Sequence, residues 1–436
     1  MILAAKNAAN PAQCIARFLH REKDTLRIGK HNIKLKNGRF FLIAAGKAAV
    51  PMSQAASAII GKYLDAGISL SKQLTPEDAK NLARCRITAV TGSHPVTDKK
   101  SIQSTQTILN LLSQTQPGDT VLCLISGGAS ALLTKPNIPH NLWQTLNHAL
   151  LASGCTINEF NAVRRQLDAV KGGGLAKIAA PANIITLILS DVIGNDLATI
   201  GSGPTTPTTE TAADALTILH KYHIQAHFTA QEWQIIVEAL HAKQKTAVTS
   251  HTPNNILDNI IIGDIKMAAQ ATAHTAARLG FTPHILTTHL HGEAKEIGKV
   301  AAALARDAAP ATCLILGGET TVTLQGSGVG GRSQELALSA AIALHNAPIC
   351  AIFTFATDGE DGPTLATPAA GALVSSETWA TAVTHNLHPA HYLAQNDSYT
   401  FFHTLAQAAP NNPDGHIITG STGTNVNDLL VILKYP

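Results

Sequence analysis

The feature that most restricts the fold is a repeated pairing along the chain. An apolar run of strand length ends in glycine, serine or aspartate, and an alanine-rich helical pattern often follows. The runs fall at residues 40–45, 87–91, 120–125, 184–189, 259–262, 312–316, 349–355 and 429–433. Helical periodicity follows several of them, at 49–66, 267–279, 294–305 and 333–345. A strand that is apolar on both faces has to be covered on both, and alternating helices do this. The pattern therefore predicts α/β architecture with parallel sheets. In such sheets ligands gather outside the carboxyl ends of the strands, so the loops there are where chemistry is expected.

With 436 residues the chain predicts two domains. A polar segment at 243–255, with Pro253 and asparagines, reads as a linker and divides the chain into domains 1–245 and 255–436. A net charge of +3 is too balanced for nucleic acid or an anionic membrane as the main partner. No apolar stretch is long enough to span a bilayer, and the first residues are too polar for a signal peptide. None of the six cysteines forms C-x-x-C, and Cys123, Cys313 and Cys350 sit inside apolar runs. The chain reads as a reduced, cytoplasmic protein. Twenty histidines show no tight ligand spacing; His289 and His291, flanking a strand end, come nearest to it.

Six loops carry the chemical signals. The densest is Gly317-Gly318-Glu319 followed by Gly326-x-Gly328-x-Gly330-Gly331-Arg332, where a glycine-rich loop turns into a helix. Glycines there let backbone N–H groups approach an anion, and Arg332 adds a planar fork of donors. This predicts polyphosphate binding and phosphoryl transfer. Gly326, Gly328 and Gly331 also satisfy G-x-G-x-x-G, so a nicotinamide-dependent reductase stays as the alternative. The acid that would meet a ribose, Asp358, sits in another glycine-rich loop and suits a metal–phosphate site better.

Lys47, in Ala45-Gly46-Lys47, places a cation at a helix start, where only an anionic ligand favours it. Ser126-Gly127-Gly128 after the run 120–125 can form an anion nest or a serine-capped turn. Arg165 and Lys171 can close on an acidic substrate or form the solvated face of a helix. Asp191 at the end of the run 184–189 can hold Mg²⁺ or accept a proton from an attacking hydroxyl. Asp358, Glu319 and Asp191 together supply hard oxygen ligands. The segment 420–428, rich in hydroxyls and amides, can line a pocket.

Taken together these loops resemble the class II glycerate kinases, the glycerate 2-kinases of the MOFRL type. The resemblance is carried by AGKAA, TGSHPVTD, LISGGASALL, NAVRRQLDAVKGGGLA, LSDVIGNDLATIGSGPT, GGETTVTLQGSGVGGRSQE, ATDGEDGPT and TGSTGTNVNDL, in one order along nearly the whole chain. It implies a Rossmann-like N-terminal domain with a mostly parallel sheet, a C-terminal MOFRL α/β domain and an active site in the cleft between them. It implies phosphorylation of D-glycerate to 2-phosphoglycerate with ATP and Mg²⁺. Lys47, Arg332 and Asp191 are then the catalytic candidates, with Glu319 and Asp358 beside Asp191 as metal ligands. Ser126, Gly127, Gly128, Gly328, Gly330 and Gly331 would hold the nucleotide, and Arg165 and Lys171 the glycerate. How many chains assemble stays open, a homodimer among the options.

Overall fold

The computed structural model describes residues 1–249 and 254–436, with no account of side chains 244–249. It divides into two compact units: Pro11–Ile262, and Met1–Asn10 together with Gly263–Pro436.

The main sheet of the unit Pro11–Ile262 has six strands: β1 (Phe40–Ala45), β2 (Ala66–Ser71), β3 (Ile87–Thr91), β4 (Thr120–Ser126), β5 (Asn183–Leu189) and β6 (Ile256–Gly263). Their order is β3-β2-β1-β4-β5-β6, and pairing is parallel from β3 through β5. This is the doubly wound 3-2-1-4-5-6 arrangement. Every residue of β1 and β4 is buried, as continuous apolar runs covered on both faces require. A second core joins the helices His140–Ala152, Ile157–Gln166, Ala212–Lys221 and Ala230–Thr249 through Trp143, Leu146, Val163, Leu219 and Ile236.

The other unit carries β7 (Thr282–Leu290), β8 (Thr312–Gly318), β9 (Cys350–Ala356), β10 (Gly371–Ser375), β11 (Gly415–Ile417) and β12 (Asp428–Lys434), in the order β7-β8-β12-β9-β10-β11. Only β7 and β8 pair in parallel; the expectation of parallel sheets throughout is corrected here. The last strand returns antiparallel between β8 and β9 and buries all seven residues. An apolar run needs two covered faces, and it does not record the direction of its neighbours. The helix Ile2–Ala9 buries Ala5, Ala8 and Ala9 in this unit and packs on Ile265–Arg278.

The division thus falls elsewhere than at the segment 243–255. The helix Ala230–Thr249 runs into that segment, and buried Asn255 donates to the carbonyls of Ala176 (3.0 Å) and Ala182 (2.9 Å). Residues 250–253 of the expected linker lie outside the described residues. Among the described residues no helix is long and apolar enough to cross a membrane.

Candidate active site

In the doubly wound sheet the chain winds outward in opposite directions from β1 and β4, and the loops after these strands meet. The Lys47 N–H donates to the Gly127 carbonyl at 2.8 Å, and the Ala48 N–H donates to Ser126 Oγ at 3.0 Å. The loops are so close that a Cβ on Gly46 would lie 2.2 Å from Ser126 Oγ. Ser126, expected at the nucleotide, has its Oγ accepting the bond that joins the two loops. The Lys47 side chain stays exposed.

Asp191 follows β5 and completes the cluster. A Cβ on Gly127 would fall 2.2 Å from Asp191 Oδ2, so the carboxylate rests against the glycine's Cα. A Cβ on Gly128 would stand 3.0 Å from His94 Cδ2 and 3.4 Å from Lys47 Cγ. Lys47, His94 and Asp191 thus surround one glycine pair. Burial, then the charges of Lys47 and Lys72, lower the His94 pKa and keep its imidazole neutral near pH 7. A cation, a carboxylate and a neutral imidazole stand at the strand ends where doubly wound sheets bind ligands.

A pocket of about 530 Å³ opens here. Gly128, Asp191, His94 and Ser130 line it from the sheet side, and Trp143, Asn147, Phe160 and Arg164 from the helices. Arg164 Nη2 donates to the Ser130 carbonyl at 2.9 Å, and its guanidinium lies 5.1 Å from the Phe160 ring centre and 5.7 Å from that of Trp143. Burial lowers its pKa to about 10, against the pull of Asp168, so it remains charged.

Neither cation expected at the substrate lines this pocket. Arg165 is paired with Glu210 and donates to the Ala198 carbonyl at 3.1 Å. Lys171 is wholly buried, with Nζ donating to the carbonyls of Ser130 (2.9 Å) and Leu133 (3.0 Å). Burial pulls its pKa down to about 8, opposed by Asp168. Helical phase explains the difference: Arg164 lies one turn after Phe160 and shares its face, while Arg165 points away. The pair Phe160–Arg164 at i, i+4 was the sequence signal for the pocket cation. His94 stood inside the motif Thr91–Asp98 without a role.

Arg332 belongs to the other unit and begins the helix Arg332–Ala343. Its guanidinium holds Asp428 through Nε and through Nη2 (3.1 Å), and Glu319 through Nη1. Burial opposes its charge, but the bonds to Asp428 and the nearby carboxylates raise its pKa. Burial pushes Asp428 up to about 7 in spite of Arg332. The N–H groups of Ser333 (3.0 Å) and Gln334 (2.8 Å) at the helix start donate to Asp361.

The loop glycines also face protein. A Cβ would lie 2.3 Å from Asp397 Cβ at Gly328, 2.1 Å from Ser398 Oγ at Gly330 and 2.3 Å from the Asp361 carbonyl at Gly331. The Gly328 N–H donates to the Gln395 carbonyl and the Val329 N–H to Asp397, each at 2.9 Å. The G-x-G-x-x-G match follows β8 of the mixed sheet, not the first strand of the doubly wound one. Asp358 accepts the Glu360 N–H at 3.1 Å. Glu319 and Asp358 lie in this unit and Asp191 in the other. Among the described residues no group of three or more acidic, histidine or cysteine side chains gathers to hold a metal.

Residues 1–236 match DUF4147, a domain of unknown function, and residues 312–428 match the MOFRL family. The chain is 38% identical to D-glycerate 2-kinase of Thermotoga maritima over 411 residues, covering 91% of each chain. The chain belongs to the glycerate 2-kinase family. A crystal structure of glycerate kinase from Thermotoga maritima superposes with a TM-score of 0.83 at 34% identity, over 99% of this chain and 97% of that one. A further relative, from Agrobacterium vitis, is 37% identical over 91% of this chain and 99% of its own, and is named only provisionally as a hydroxypyruvate reductase. Lys47, Asp191 and the pocket beside them are thus the candidate active site of a glycerate 2-kinase family member.

Proposed function

We propose that this chain phosphorylates D-glycerate at the 2-hydroxyl, taking the phosphoryl group from ATP. Family membership supports the reaction, and one observation carries the site: Lys47, Gly127–Gly128 and Asp191 converge at the strand ends beside a pocket. Phosphoryl transfer asks mainly for positioning and for charge aimed at the phosphoryl oxygens. The flexible, exposed Lys47 supplies that charge. In this reading Asp191 accepts the proton of the attacking hydroxyl, and neutral His94 hydrogen-bonds a substrate oxygen. Mg²⁺ enters as part of the substrate, the MgATP complex, which needs only one or two protein carboxylates besides its phosphates. Arg332 is already committed to Asp428 and Glu319, and its part in transfer is a separate proposal that depends on its exchanging a carboxylate for phosphate.

The test is ADP release with D-glycerate, ATP and Mg²⁺, run beside NADH oxidation with hydroxypyruvate. Phosphorus NMR of the product separates the 2- from the 3-phosphate. Turnover in the first assay with none in the second is expected. The reverse result would replace the kinase reading with the reductase.

A further inference from the structure

We infer that Arg164 forms a carboxylate subsite in this pocket, holding the acid end of the substrate while the reacting hydroxyl lies toward Asp191. The inference rests on the kinase reading above. Arg164 is 8% exposed, yet among the described residues its Nε finds no acceptor. A buried donor without an acceptor is costly, and a ligand that brings an acceptor removes the cost.

Its charge is also left for a ligand. Arg165 is matched by Glu210 and Arg332 by Asp428, but among the described residues no carboxylate pairs with Arg164. The nearby carboxylate, Asp168, is taken by the Thr134 hydroxyl (2.6 Å) and by the N–H groups of Lys135 (3.0 Å) and Val170 (2.9 Å). Trp143 and Phe160 hold the guanidinium by their faces, and the Ser130 carbonyl fixes one arm. A clamped planar fork on an apolar floor suits a planar carboxylate through two parallel bonds. Lys47, exposed and on a long unbranched stem, is the better phosphate partner. The pocket would then choose 2-hydroxy acids over neutral polyols and amides.

The experiment compares wild type, Arg164→Lys and Arg164→Met with D-glycerate and with glyceramide, its neutral analogue. A drop in kcat/KM for glycerate of about 10²-fold is expected in both variants, mostly through KM, as for loss of a charged bidentate contact. The KM for ATP should hold, and the preference for the acid over the amide should collapse. An unchanged KM for glycerate overturns the proposal. So does a rise confined to the KM for ATP, which would give the guanidinium to a nucleotide phosphate. Where the variants do not fold, the wild-type melting temperature decides: glycerate should raise it and glyceramide should not, and equal shifts overturn the subsite. If wild type binds glycerate in this way but transfers no phosphate, the kinase reading fails and the subsite stands.

Discussion

Gly127→Ala isolates the position of Asp191 without touching its chemistry. The glycine has no left-handed backbone, so alanine is conformationally acceptable there. Its new Cβ would lie 2.2 Å from Asp191 Oδ2 and 2.7 Å from Cγ. Carbon–oxygen contacts sit near ~3.3–3.6 Å, so the carboxylate must move by about 1 Å. A misplacement of ~1 Å in a reacting group can cost on the order of 10²-fold, or ~2.7 kcal/mol of activation. We expect that loss in kcat, with KM for ATP held and a melting temperature close to wild type. Asp191→Asn should lower kcat as well, and the double variant should be no worse than the poorer single one, because both remove one function. The assay is coupled ADP release with calorimetric melting. Wild-type kcat in Gly127→Ala would refute the placement of Asp191, and additive losses would assign the two residues to separate tasks.

Lys47→Ala should lose about 10²-fold or more in kcat, while stability changes by less than ~0.5 kcal/mol because the side chain is exposed; a denaturant midpoint beside the rate checks both. Arg332→Ala should destabilise by about 2–3 kcal/mol, since Asp428 would be left buried without its cation. A carboxyl raised to about 7 contributes stability at low pH that is lost as pH rises through that value, and without Arg332 the loss deepens. Unfolding at pH 5 and pH 8 should show the larger deficit at the higher pH. Lys171 has its pKa lowered from 10.5 to about 8, so the unfolded chain binds more protons within that window and stability rises with pH there. Lys171→Met should lack that rise, by about 3 kcal/mol between pH 8 and 10.5, and parallel stability curves would count against it. Asp358→Asn should shift the Mg²⁺ titration of activity to higher concentration if Asp358 assists the metal; a superimposable curve removes it.

The sequence made β1 and β3 legible to the residue, because each is a short apolar run between turn signals. Residues 49–66, read as a single helix, divide in the structure: the helix ends at Ile60, Gly61 takes φ +63°, and Ala66 already opens β2. Strand order and the antiparallel return of β12 depend on long-range pairing that periodicity does not encode. Lys47 and Asp191 stood out in the sequence because a charge at a strand end needs a reason, and the structure brings both beside Gly127 and Gly128. Arg165 and Lys171 misled because a buried cation and a ligand-binding cation look alike in sequence. Only the Glu210 partner and the Ser130 and Leu133 carbonyls tell them apart. The glycines around Arg332 were read as room for a ligand, whereas Gln395, Asp397 and Ser398 occupy that room.

The helix Ile2–Ala9 belongs with the last part of the chain, and everything from Pro11 to Ile262 is threaded between them. During synthesis, then, a helix made before Pro11–Ile262 finds its place only after that stretch is complete. Pro11–Ile262 can close as one uninterrupted stretch while synthesis continues, but Ile2–Ala9 must wait, with Ala5, Ala8 and Ala9 uncovered, until Ile265–Arg278 has been made. A fragment starting at Gly263 would leave that helix's seat bare, and supplying Met1–Asn10 as a separate peptide should restore what the missing segment provided.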